Sequence, residues 1–176
     1  LKVAVFSQIT SVVSVKLGDI AIGDETLHLQ KIKSHTDFKL LLPGEMQTEN
    51  WKVEVRWAFP KGSGPYRDVR LHYFDQRGKY VLGIEQHKAR DYVYEIKIEE
   101  IDLQKHTSRT RTKTEIFQQR TNGEVIPING AKAYFEAWVN QSPGGILHWI
   151  QGDTYVEMNS GELTKEQMVE VARSMN

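Results

Sequence analysis

Six histidines are the most versatile chemical groups in this 176-residue sequence, and there is no thiol for them to work with. His72 and His87 fall in two segments expected to pair as neighbouring strands, with Asp75 and Glu85 close by. Two imidazoles and a carboxylate on one sheet face would suit zinc or copper. His72 and His87 are therefore candidate metal ligands and, with a metal, candidates for hydrolysis. Spacing argues the other way: no His-Glu-x-x-His or similar short motif forces these donors to converge. Strand histidines are more often satisfied by a hydrogen bond or turned to water. His28, His35, His106 and His148 stand isolated in the sequence.

Other chemistries leave weaker traces. Gly62-Ser63-Gly64-Pro65 comes nearest to a nucleophile elbow, but Pro65 and the strand after it do not open a helix. No Walker loop or dinucleotide fingerprint is present, and Gly144-Gly145 after Pro143 reads as a turn. Glu99, Glu100 and Asp102 cluster near a strand end, whereas glycosidase chemistry needs two carboxylates facing across a cleft. Trp51, Trp57, Trp138 and Trp149 could line a ligand groove, although their places in alternating strands favour packing. No catalytic residue and no cofactor follow from these residues.

Charge gives one further lead. Lys and Arg number 23, as do Asp and Glu, so the net charge is zero and the pI is near 7.2. A dedicated nucleic-acid binder would usually carry a basic excess. The balance hides one local shift: residues 103–114 hold Lys105, His106, Arg109, Arg111 and Lys113 and no acid. Lys105, Arg109, Arg111 and Lys113 are the candidate partner-binding residues, against the plainer readings of a solvated loop or a charge-protected edge strand.

The elements that must position these groups are mostly strands. Residues 26–32, 51–59, 69–74, 79–87, 92–98, 115–119, 131–139, 145–151 and 154–158 alternate or run apolar in strand fashion. Phe38 to Leu42 is an apolar run stopped by Pro43-Gly44. Asp75-Gln-Arg-Gly78 and Gly152-Asp153 read as hairpin turns. Val5, Phe6, Ile9, Val12, Val13 and Leu17 have helical spacing, in a run too short to span a membrane. At the other end, Thr164 and Gln167 form a capping box, Leu163 and Met168 a staple, and Met168, Val171, Ala172 and Met175 an apolar stripe. The expected fold is α+β: one domain over 1–176, with a curved antiparallel sheet, an N-terminal helix and a C-terminal amphipathic helix packed on it. Without cysteine, no disulfide assists it.

The last third carries a set of landmarks: Gly130, Ala133, Leu147, Trp149, Gly152, Tyr155, Ser160, Leu163-Thr164-Lys-Glu166 and Ala172-Arg-Ser174. Upstream stand Phe38, Leu42-Pro43, Val69-x-Leu71-x-Tyr73 and Ile84-x-Gln86. In this order they resemble bacterial domain of unknown function 4367, over about residues 30–176. The resemblance marks Pro43, Tyr73, Gly130, Leu147, Trp149, Gly152, Tyr155, Leu163 and Ala172 as fold-defining and supplies no catalytic residue. Residues 89–122 are less typical and read as a possible insertion.

That resemblance implies an extracytoplasmic part of a membrane-anchored, lipoprotein-like or anti-sigma-factor-like chain of Gram-positive bacteria. The leading expectation is thus a non-enzymatic interaction or sensor domain at the bacterial cell surface. Its anchor is expected upstream of Leu1, and its partner is a protein or a small hydrophobic ligand, not a nucleic acid. One alternative is a lipid- or lipoprotein-binding carrier with an apolar cavity beneath its helix; another is a metal-dependent hydrolase.

Overall fold

The computed structural model describes residues 25–59, 65–102, 107–139 and 141–176. Helix α1 (Glu25–Lys33) and the single turn α2 (Glu45–Thr48) precede β1 (Lys52–Phe59), β2 (Asp68–Phe74) and β3 (Tyr80–Lys88). Next come β4 (Val93–Asp102), β5 (Thr107–Ile116), β6 (Glu124–Ile128), β7 (Ala131–Ala137), β8 (Gly145–Gln151) and β9 (Thr154–Ser160). Helix α3 (Lys165–Ser174) ends the order. The fold is α+β and mostly antiparallel, with a seven-stranded sheet ordered β1-β2-β3-β9-β8-β7-β6 and a separate two-stranded sheet, β4-β5. Two meanders meet where β3 pairs with β9, and the seven-stranded sheet stays open.

By its contacts the chain divides into two compact units, one holding residues 91–118 and the other residues 22–90 and 119–176. The first contains the β4-β5 ribbon. The second contains the seven-stranded sheet and α3.

Register sorts the larger sheet into two faces. One carries Val69, Leu71 and Tyr73 of β2, Leu82 and Ile84 of β3, and Val156 and Met158 of β9. Leu147 and Trp149 of β8, Ala133 and Phe135 of β7, and Ile126 and Ile128 of β6 complete it. All of these are buried, and Met168, Val171, Ala172 and Met175 of α3 join the same core. The expected capping box is present: Gln167 N–H donates to Thr164 Oγ1, and Thr164 N–H to Gln167 Oε1. The helix is thereby started one residue after the cap and held with its apolar stripe inward.

Fold-defining positions from the sequence take clear places. Gly130 and Gly152 hold the positive φ of the β6-β7 and β8-β9 turns, at 81° and 63°. Leu163 and Ala172 are buried, and Pro43 stops the extended run before α2. That run is tied down by Gln86, whose Oε1 accepts from Leu41 N–H while its Nε2 donates to Leu41 O. A fully buried amide that replaces both missing ladder bonds explains how an irregular segment enters a core.

Three expected elements are corrected, and one strand was not expected. Residues 26–32 form α1, not a strand: Leu29 and Ile32, three apart, reach the core, and that spacing is helical. The strand expected at 115–119 is β5, which starts at Thr107 and ends at Ile116; its Thr/Arg alternation lacks the apolar half that marks a buried strand. The strand expected to reach 139 ends at Ala137. Strand β6 was missed because Pro127 argues against a strand, yet β6 is a sheet edge, where proline is tolerated. The N-terminal helix expected near residues 5–17, the Gly62–Gly64 loop, Lys105 and His106 lie outside the described residues.

Candidate functional site: the helix-free face of the sheet

The face turned away from the core has its own order. Trp57 pairs with Arg70, Arg70 with Glu85, Glu85 with Glu157, Glu157 with His148, and His148 with Tyr134. A single transverse row of polar and aromatic side chains therefore crosses five strand pairs. Trp57 is there because of a bulge. Val55 pairs with Leu71 on the core face, but the register shifts before Trp57, which lands opposite Arg70 on the other side. One extra residue in a strand turns the following side chain over. The period-two reading of 51–59, which kept Trp57 with Val53 and Val55, is corrected by that shift.

At the β1-β2-β3 end the row is held by charge-assisted bonds. Arg70 Nη1 donates to Glu85 Oε2 at 2.8 Å, and Arg70 Nε donates to His72 Nε2 at 3.0 Å. Its guanidinium lies 5.1 Å from the Trp57 ring centre, and Trp57 Nε1 donates to Asp68 Oδ1. Tyr80 O–H donates to Asn159 Oδ1 across Gly83, where a Cβ would collide with the Tyr80 hydroxyl. Glu85 faces Glu157 directly, and like charges opposite each other are unfavourable. Burial, Asp68 and Glu157 push the Glu85 carboxyl above its ordinary range, against the downward pull of Arg70.

Toward β7 the row becomes aromatic. Tyr134 stacks on His148 with centres 5.6 Å apart, His148 tilts against Tyr155 at 6.0 Å, and Tyr155 stacks on His87 at 4.8 Å. Tyr155 thus sits on the opposite face from Leu147 and Trp149, because its register partner is Ile150. Its hydroxyl donates to Glu157 Oε2, which also lies 3.4 Å from Arg120 Nη2. His148 is fully buried, with Glu136 Oε1 3.8 Å from its Nε2.

His72 and His87 share this face but do not converge. His72 pairs with Gly83, four residues along β3 from His87, which is roughly 13 Å of strand. His72 Nε2 is taken by an arginine donor, and His87 Nδ1 donates to Lys88 O. Burial first of all, with Arg70 and Arg56 beside His72, brings both imidazoles down to about 4, so both are neutral near pH 7. Among the described residues no group of three His, Asp or Glu side chains is placed to hold a metal ion. The acidic residues Glu99, Glu100 and Asp102 lie on β4.

Of the basic candidates, Arg109, Arg111 and Lys113 are exposed and alternate on one face of β5, opposite Glu100, Ile98 and Ile96 in register. Lys113 Nζ lies 2.6 Å from Glu115 Oε1. Thr110, Thr112 and Thr114 occupy the other face and are exposed as well.

Shallow grooves are also present among the described residues. One of about 350 Å³ is lined by Tyr80, Trp138, Ser142, Asn159, Ser160 and Gly161; one of about 500 Å³ by Tyr94, Glu115, Ile116 and Gln118. Both are open to solvent, and the space between α3 and the sheet is filled by Leu71, Ile84, Leu147, Trp149, Met158 and Met168. No described helix is long and apolar enough to cross a membrane. Comparison with protein-family models, curated proteins and solved structures finds no match.

The transverse row was not legible as a site in the sequence. Its residues come from six segments, and only register brings Arg70, Glu85, Glu157 and His148 into line.

Proposed function

We propose that this chain is a non-enzymatic interaction or sensor domain, working outside the cytoplasm of a bacterium as part of a membrane-anchored or surface protein. In this reading the sheet curves over α3, and the β4-β5 ribbon is the contact element. The observation that carries the proposal is the ribbon itself: ten register pairs long, with every β5 side chain from Arg109 to Thr114 exposed. Among the described residues the ribbon pairs with no further strand, and an unpaired strand edge is ready to pair with another chain. Arg109, Arg111 and Lys113 suit a protein partner with an acidic face, and Lys105 extends the same charge run in the sequence. The order of landmarks from Gly130 to Ser174, similar to domain of unknown function 4367, supports the extracytoplasmic address.

The test is a photo-activated cross-linking residue placed at Arg111 or, as a control, at Glu170 on the exposed side of α3, in the full-length protein in intact cells. A discrete adduct at position 111 and none at position 170 is expected. Equal labelling at both positions, or none at 111, contradicts the proposal.

A further inference from the structure

His148, on the face turned away from the core, departs from the usual pairing of buried polar atoms. It is fully buried, yet neither ring nitrogen has a hydrogen-bond partner. Glu136 Oε1, 3.8 Å from His148 Nε2, is buried and unpartnered too, and so is Gln119 Nε2. Buried polar atoms are nearly always satisfied, because each orphan keeps the full cost of leaving water. An imidazole and a carboxylate left unsatisfied side by side gain a strong charge-assisted bond when one proton is added.

The groups facing this pair come from three elements. β7 contributes Tyr134, stacked on the imidazole, and Glu136. β9 contributes Tyr155 and Glu157, the register partner of His148; beyond them Glu85 and His87 of β3 pair with Glu157 and Tyr155. The irregular segment 117–123 contributes Arg120, which reaches Glu157 at 3.4 Å. Burial lowers the imidazole, Glu157 raises it, Arg120 lowers it and Glu136 raises it. Arg120 and a protonated His148 therefore compete for Glu157.

We propose that His148 is an acid-operated latch. A proton taken from solvent turns the His148–Glu136 contact into an ion pair, draws Glu157 from Arg120, and frees residues 119–122 from the sheet face. Such a device gives a surface domain a response to acidification that needs no ligand, and it stands whatever partner the ribbon takes.

The experiment is an NMR titration of the whole chain from about pH 7.5 down to about pH 3.5, reaching below the ordinary histidine range because burial lowers the His148 imidazole. It follows the His148 ring together with the backbone order of residues 119–122. The order parameters of 119–122 are expected to fall from about 0.85 to below about 0.6, rigid to flexible values, with the midpoint of His148. His148→Phe keeps a ring between the tyrosines and is expected to abolish the step with 119–122 still ordered. Arg120→Gln is expected to leave the segment mobile at both ends of the range. Should His148→Phe fail to fold, Glu136→Gln serves instead, and it is expected to lower the midpoint. Order that does not change with pH, a step that follows another histidine, a step that survives in His148→Phe, or an unmoved midpoint in Glu136→Gln overturns the proposal.

Discussion

The seven-stranded sheet and the β4-β5 ribbon use the same alternating backbone and put it to opposite uses. In the sheet, one side is buried in a core shared with α1, the 38–42 run and α3, and the other carries a linked row of charges and rings. In the ribbon, the β5 side chains from Arg109 to Thr114 are exposed on both sides, and Val93 and Ile116 are exposed as well. Burial supplies stability in proportion to apolar area, so the sheet holds the fold. In the ribbon Tyr94, Ile96 and Ile98 of β4 are half-buried, and the exposed β5 side chains are the surface that the proposed function gives to recognition. The proposed function thus assigns stability and contact to different stretches of one chain.

The sharpest way to test that division is to injure the sheet where it is most buried. Trp149→Ala removes a fully buried ring and is expected to cost about 3–5 kcal/mol in denaturant unfolding. A loss below about 1 kcal/mol, the centre of ordinary point mutants, would place the core elsewhere. Gln86→Ala comes next, because it strands Leu41 N–H and O in the core; about 2 kcal/mol or more is expected from two orphaned groups. Thr164→Ala breaks the capping box and is expected to cost about 1 kcal/mol, read as a lower thermal midpoint.

The helix-free face makes a smaller, pH-dependent prediction. A carboxyl whose folded pKa is raised stabilises below its unfolded value and loses that contribution as pH climbs through the folded value. Glu85→Gln removes the charge facing Glu157 and is therefore expected to raise stability above neutrality, by about 0.5 kcal/mol. Toward acid that gain vanishes, because Glu85 is protonated there and no longer repels Glu157. A gain that grows as pH falls would show that the bond from Arg70, rather than repulsion, governs Glu85.

How much of this was readable beforehand depends on which interaction decides each element. Helix α3, the Gly78 and Gly152 turns, and strands β2, β3, β8 and β9 are legible because local propensity and tertiary burial agree. Residues 26–32 misled because Leu27 and Leu29 are two apart, as in a strand, while the three-residue step from Leu29 to Ile32 is the helical one that tertiary contact chose. The bulge before Trp57 leaves no mark on the sequence, so neither the turned tryptophan nor its arginine could be placed. His148 looked isolated for a related reason: Glu136 is twelve residues away and Glu157 nine, and only pairing of β7, β8 and β9 assembles them. The basic run was visible as charge, while its strand was not, because exposed strands lack the apolar beat that betrays buried ones.

The smallest expected effect on stability is also the most decisive for function. Replacing Arg109, Arg111 and Lys113 together by Gln touches only exposed side chains and is expected to change unfolding free energy by less than about 0.5 kcal/mol. The direct measurement is that triple variant in the full-length protein, with its thermal midpoint and its cross-linking in cells, from a photo-reactive residue at Thr112, recorded side by side. An unchanged midpoint with the adduct lost is the predicted result; a lowered midpoint with the adduct retained would contradict the division of labour between sheet and ribbon.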